Sequence, residues 1–240
     1  MVLSVSRDSA EIDALTVELE SLSYSVSHDL RAPVRAVIGF TLALQDEYGE
    51  RLDVEGRRLL AIVASEAQRL NTLIDGLLAL SRLGSRPMEM STVDMLGLVH
   101  EIALELTELS APGPSILEIA DLPSVRGDRA MLREIWSNLL SNAAKFSGRQ
   151  AHPKITVEAS FDPDHVVYHV RDNGIGFDMQ YAGTLFGAFQ KLHHGDAFPG
   201  TGIGLAIVKR IVHRHGGTIW ASAHLGDGAT LSFALPRSSV

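Results

Sequence analysis

The chain has 240 residues, a formal net charge of −8 and 45% hydrophobic residues, enough for one or two domains with cores of their own. The acidic balance argues against a general nucleic-acid binder, which needs a basic face, and the absence of cysteine excludes disulfides and thiolate metal sites. No window approaches eighteen consecutive apolar residues, and the opening MVLSVSRDSAEID lacks the basic start and apolar run of a signal peptide, so no membrane span is expected and the expected location is the cytoplasm.

Residues 8 to about 83 read as all-helical. Leu15, Leu19, Leu22 and Val26 step by four, three and four, a heptad seam that resumes at Leu30, Val34 and Val37. Helix formers continue to about Gln45, and Tyr48-Gly49 breaks the run. A second apolar stripe follows at Leu59, Ile62, Leu70, Leu73, Leu77 and Leu80. Two helices joined by a short turn make a hairpin that buries only part of its apolar surface, so a homodimer forming a four-helix bundle is expected. "SRLGSRP" (81–87) has the Gly, Ser and Pro of a linker. The expected division is a hairpin at 1–83, a linker at 84–90 and a second domain at 91–240.

Beyond the linker the chain alternates. Residues 88–93 and 115–119 are short strand candidates, and 93–110 is an apolar-periodic helix. Residues 129–146 form a helix with Asp128 placed to cap it. Residues 154–161 and 165–171 alternate like antiparallel strands joined at Asp162-Pro163-Asp164. A helix at 203–215 and closing strands at 218–223 and 229–235 complete an α+β layer fold, a sheet with helices on one face.

Four stretches carry chemistry, each with a plain structural alternative. In the helix at 129–146, Glu134, Asn138 and Asn142 recur every four residues and share one face. These hard oxygen donors suit Mg²⁺ beside a nucleotide, with Lys145 one turn on for phosphate; the alternative is a solvated polar face. In "RDNGIGFD" (171–178), Asp172 can accept from an exocyclic amine, and Gly174 and Gly176 let the backbone approach a flat ring; the alternative is a strand-ending Asn-Gly turn. In "GTGIGLAIVKRIV" (200–212), Gly200, Gly202 and Gly204 precede an amphipathic helix whose free N–H groups suit phosphate. This is no P-loop, because no Gly-Lys-Ser/Thr follows, and no Rossmann turn, because Phe198-Pro199 rather than a strand precedes it. The alternative is a glycine-rich cap without a ligand. In "SHDLRAP" (27–33), His28, Asp29 and Arg31 interrupt the helical seam before Pro33, which removes a main-chain hydrogen bond and predicts a bend. The alternative is a polar break that fixes bundle register.

Taken in order, these pieces resemble the catalytic core of sensor histidine kinases of two-component systems. "SHDLRAP" resembles the H box, "NLLSNAAKFS" the N box, "DNGIGFD" the first glycine box, "LFGAFQKLH" the F box and "GTGIGLAIVKRIV" the second glycine box. The resemblance covers about residues 10–236, and the stretch from Phe189 to Gly217 further resembles the phytochrome-type branch. It implies a dimeric helical hairpin followed by an α/β sandwich ATP-binding domain of the type shared by gyrase, Hsp90, histidine kinases and MutL.

The resemblance also implies roles. His28 accepts the γ-phosphoryl group of ATP at Nε2, and Asp29 orients the imidazole through its other nitrogen. Asn142, with Asn138, holds Mg²⁺ and the triphosphate, Glu134 being a metal candidate only by its place on the same helix face, and Lys145 neutralises phosphate. Asp172 binds adenine in a pocket lined by Gly174 and Gly176. Gly200, Thr201, Gly202, Gly204 and Leu205 meet phosphate beside a mobile lid at 178–199, where Phe186 and Phe189 are packing anchors or plain core aromatics. Thr230 is a further adenine contact unless β-propensity alone places it. The implied partners are a second copy, a response regulator receiver domain that takes the phosphoryl group in a phosphorelay, and an upstream sensor domain or separate sensory partner. Ala32 stands where many relatives carry a Thr or Asn that positions water, so weak phosphatase activity is expected. Two other readings are a degenerate, non-catalytic dimeric scaffold and a superfamily ATPase acting on DNA or clients; His28 and the acidic balance count against the last.

Overall fold

The computed structural model describes residues 2–109, 116–192, 198 and 200–237, with side chains from Ser25 onward except at 84, 85 and 107–109. The predicted ends at Ser110 and Ser115, the lid positions 193–197 and 199, and the side chains of Leu15, Leu19 and Leu22 lie outside the described set. The chain divides into two units, Met1–Arg86 and Pro87–Val240.

The first unit is a hairpin of α1 (Val2–Tyr48) and α2 (Val54–Ser85), joined through a 3₁₀ turn at Gly49–Arg51. α1 is helical straight through Pro33, so the proline removes one main-chain bond without ending the helix. The turn is closed by Arg57, whose Nη1 donates to the carbonyls of Leu52 at 2.9 Å and Gly49 at 3.3 Å. Asp53 caps α2 by accepting from the Gly56 N–H at 2.7 Å. α2 runs two residues past the expected boundary at 83, taking Gly84 and Ser85 out of the linker. The Arg86 N–H still closes a turn onto the Arg82 carbonyl at 3.2 Å, and Pro87 then forces Arg86 into extended backbone (ψ 127°). The seam between the helices buries Ser27, Thr41, Ala67, Ile74 and Leu78. Val26, Leu30, Val37, Phe40, Leu59, Ile62 and Leu70 remain exposed, Phe40 by 73%. The hairpin alone therefore covers only one side of its apolar surface.

The second unit pairs β1 (Met90–Val93) with β3 (Val125–Asp128), antiparallel. Its main sheet has strand order β2-β4-β5-β7-β6, built from β2 (Ile116–Ile119), β4 (Lys154–Phe161), β5 (His165–Asp172), β6 (Thr218–His224) and β7 (Gly228–Pro236). β2 lies parallel to β4 and the other neighbours are antiparallel. Helices α3 (Met95–Leu109), α4 (Arg129–Ser147) and α5 (Gly204–Arg214) complete it, with α4 packed on β5 and between α3 and α5. The short strand β3 was absent from the sequence-based expectation. On the face away from the core, His169 of β5 bonds Ser160 of β4 at 2.9 Å and Ser232 of β7 at 2.8 Å.

Helix α4 is the spine of this unit. Met131, Leu132, Ile135, Trp136, Leu139, Leu140 and Ala143 are buried along it. Trp136 meets Tyr168 and Phe233 edge-on, with centroids 5.6 and 5.2 Å away, and those two rings stack at 5.1 Å. The Tyr168 hydroxyl donates to the Pro123 carbonyl at 2.5 Å, and burial pushes its pKa upward. The helix start is fixed twice. Asp128 Oδ1 accepts from the Met131 N–H at 3.1 Å and Oδ2 from the Glu89 N–H at 3.0 Å. The Asp128 N–H in turn donates to Nε2 of buried His215 at 3.0 Å, and His215 Nδ1–H donates to the Ile211 carbonyl at 2.8 Å. His215 thus clasps the end of α5 to the start of α4 as a neutral imidazole with a defined tautomer.

Burial lowers the His215 pKa from its ordinary 6.5, against partial opposition from the Ile211 carbonyl and Asp128. The unfolded chain therefore binds this proton more readily, so the clasp's contribution is full above about pH 6.5 and is lost as pH falls below it. His215→Ala should lower unfolding free energy at pH 8 by about 1–3 kcal/mol. It should also flatten the acid limb of the stability curve, measured by urea unfolding between pH 8 and 5.

Candidate active site

A cavity of about 360 Å³ opens in the second unit between α4, the end of β5 and the start of α5. Asp172, the last residue of β5, lines it and is 6% exposed. Burial raises its pKa, opposed by hydrogen bonds from the Gly174 and Ala229 N–H groups; the Gly174 N–H lies 2.8 Å from Oδ1. A carboxylate held this way gains from any further donor that enters the cavity.

Asn138, Asn142 and Lys145 all line the same cavity from α4. Asn138 Nδ2 donates to the Glu134 carbonyl at 2.9 Å, turning the amide over its own helix. Asn142 Oδ1 accepts from Lys145 Nζ at 3.1 Å. Nζ also sits 4.3 Å from the Phe146 ring centroid. Burial, then the charge of Lys191, lowers the Lys145 pKa. Two cations facing one cavity repel each other, an arrangement that favours an anion between them.

The second glycine box forms the facing wall, with Gly200, Thr201, Gly202, Gly204 and Leu205 all lining the cavity. A Cβ at Gly204 would lie 2.3 Å from Asn138 Oδ1, so glycine is what lets the α5 N-terminus approach the α4 amide. Gly176 also lines the cavity, but for a reason the sequence did not suggest. Its φ is +59°, and a Cβ there would lie 1.9 Å from the carbonyl of His224, the last residue of β6 before the β6–β7 turn.

Glu134, Gly174 and Thr230 are not among the lining residues. Glu134 sits eight residues before Asn142, about 12 Å along the helix. Gly174 packs behind Asp172, near the Phe146 carbonyl. Ala229 and Leu231 line the cavity, so strand alternation turns the intervening Thr230 to the opposite face. Residues not singled out from the sequence also contribute. Lys191 lies in the F box beside Gln190, and Phe198, just before the glycine box, packs on Phe146 at 5.2 Å with Arg149 4.8 Å from its centroid. The cation in "FQKLH" was the available signal for Lys191. Phe186 is half-buried, while Phe189 is 49% exposed with φ +63°.

On the first unit, the His28 side chain is 69% exposed and Asp29 78% exposed. His28 Nδ1 lies 3.3 Å from Asp29 Oδ1, so Nε2 is the ring nitrogen outside that contact. Adjacent helical residues do not share a face, and the contact is achieved through the side-chain rotamers. Among the described residues no cluster of three His, Asp or Glu side chains could hold a metal.

Comparison with known proteins agrees with this geometry. Residues 18–86 match the His Kinase A (phospho-acceptor) domain, and residues 127–239 match the Histidine kinase-, DNA gyrase B-, and HSP90-like ATPase family. Cyanobacterial phytochrome B of Nostoc sp. is 36% identical over 94% of this chain and 30% of its own length. Phytochrome-like protein Cph1 of Synechocystis sp. is 31% identical, with the same shares. Sensor histidine kinase WalK of Bacillus subtilis is 28% identical over 98% of this chain and 39% of its length. The chain thus spans well under half of these relatives. Among solved structures, full-length ShkA in complex with AMPPNP superposes with a TM-score of 0.67 and 26% identity, over 92% of this chain and 46% of that one. The mycobacterial sensor histidine kinase MprB gives 0.56 and 28%, over 62% of this chain and 100% of that one. With a phospho-acceptor hairpin leading into an ATPase unit, and the two matches accounting for most of its length, the chain belongs to the histidine kinases.

Proposed function

We propose that this chain uses ATP to phosphorylate His28 and passes the phosphoryl group to an aspartate of a response regulator. The observation that carries this is the coexistence, in one chain, of an exposed imidazole backed by a carboxylate and a cavity pairing a buried carboxylate with two lysines. A degenerate scaffold has no need to keep all of these.

In this reading Asp172 accepts from the exocyclic amine of adenine, and Lys145 and Lys191 neutralise the triphosphate. His28 reacts as the neutral imidazole. Its Nε2 lone pair forms the N–P bond to the γ-phosphorus as the bridging P–O bond breaks and ADP leaves. The Nδ1 proton stays on the ring, donating to Asp29, which stabilises the positive charge that develops there. The carboxamide oxygens of Asn138 and Asn142 are hard donors suited to Mg²⁺. When bound, the ion would neutralise charge on the β- and γ-phosphates; with few protein ligands, most of its coordination would come from phosphate and water. The homodimer is supported by the apolar surface the hairpin leaves exposed. A sensor domain or separate sensory partner supplies the input, as the fuller length of the relatives suggests. Among the described residues no helix is long and apolar enough to cross a membrane, and we place the reaction in the cytoplasm, where ATP and receiver domains meet.

Incubation with γ-labelled ATP and Mg²⁺ should give acid-labile, alkali-stable label that His28→Ala abolishes; label elsewhere, or none, overturns the reading. Asp172→Asn should weaken ATP binding by about tenfold or more, the cost of losing a charged hydrogen-bond partner, measured by calorimetry, with the fold intact by circular dichroism. Ala32 is exposed on α1 and its methyl cannot orient water. Dephosphorylation of a phosphorylated regulator in the presence of ADP should therefore be slow, and Ala32→Thr should speed it.

A further inference from the structure

Arg31 stands between a buried and an exposed neighbour on α1. At about 100° per residue it lies about 40° from Ser27 and about 60° from His28. Ser27 is fully buried and its hydroxyl has no hydrogen-bond partner among the described residues, whereas His28 is open to solvent. Arg31 shares both conditions. Its Nε is buried without an acceptor, while Nη2 reaches across to α2 and donates to Asp75 Oδ1 at 3.0 Å. The second oxygen of Asp75 accepts from Asn71 Nδ2 at 3.2 Å. The Asp75 side chain is 52% exposed and Arg31 25% exposed.

This guanidinium is underused. It has five donors in a fork shaped for two-pronged binding of an oxyanion, yet among the described residues makes one bond, to a half-exposed carboxylate already shared with Asn71. Pairs this exposed are individually weak. A phosphoryl group on His28 would place up to two negative charges and three acceptor oxygens one turn before Arg31, at the i, i+3 spacing that brings side chains together. A dianion with several acceptors outcompetes a shared carboxylate for an arginine fork.

We propose that Asp75 holds Arg31 in reserve, and that Arg31 exchanges this carboxylate for the phosphoryl group once it is on His28. Asp75 is then a positioning residue that sets how readily the arginine is released, and with it the balance between the phosphorylated and free imidazole. The exchange changes no covalent bond beyond the N–P bond itself. It rests on His28 as the phosphoacceptor.

The test uses the whole chain equilibrated with Mg²⁺ and fixed ATP:ADP ratios, reading the ratio of phosphorylated to free His28. Asp75→Asn should raise that ratio about two- to fivefold, the range expected for removing one weak competing ion pair, and Asp75→Glu should restore the wild-type value. Arg31→Gln should lower the ratio, and in the double variant Asp75→Asn should have no further effect. A merely structural ion pair predicts lower melting temperatures for both single variants and an unchanged ratio, which would overturn the proposal. Wild-type chain that takes no label would remove the phosphoacceptor reading as well, whereas labelled wild type with an insensitive ratio sinks the exchange alone.

Discussion

The rotation of α4 about its own axis is the constraint on which the ATPase unit depends. One face of this helix must fill the core, and another must aim Asn138, Asn142 and Lys145 into a cavity. Successive residues turn by about 100°, so a modest error in rotation would expose Leu139 or bury Lys145. The Trp136 ring, locked edge-on against Tyr168 and Phe233, fixes the angle from the core side. Asp128 and His215 fix it from the N-terminal end, and the close approach of Gly204 to Asn138 fixes it opposite α5. The polar face can then be precise because the apolar face is tightly packed.

The cavity itself is electrostatically unfinished. Asp172 is buried and carries a raised pKa, and Lys145 is half-buried near a second lysine and carries a lowered one. Desolvation disfavours the charged form of each, and an amine donor beside Asp172 or an anion beside the lysines would favour it. This arrangement stores selectivity as well as affinity, because a ligand with only one of the two features leaves the other group uncompensated.

Much of this was legible in the sequence. The Asp128 cap, the i, i+4 spacing of Asn138 and Asn142, and the hairpin with its uncovered apolar stripe all follow from short-range patterns. What escaped was set by tertiary contact. β3 is only four residues long with Arg126 pointing outward, so it exists through pairing with β1 rather than through propensity. Gly176 reads as a ring-binding glycine, yet its backbone is dictated by a turn some fifty residues later in the chain. Thr230 looks suitable for adenine, but Ala229 and Leu231 line the cavity and strand alternation turns the residue between them to the other face, while Lys191 reaches the cavity only through the tertiary fold. The second apolar stripe marked out α2, while its end point depended on what Pro87 does to Arg86.

The unbroken run of α1 has a mechanical consequence. Forty-seven helical residues make a rod about 70 Å long, with His28 near its middle. A rod transmits torque along its axis but yields wherever a rung of its hydrogen-bond ladder is missing, and Pro33 removes such a rung within a turn or so of the imidazole. Strain applied at the far end would therefore be released as local flexing beside the imidazole, so that the stalk behaves like a shaft with its compliant joint built next to His28.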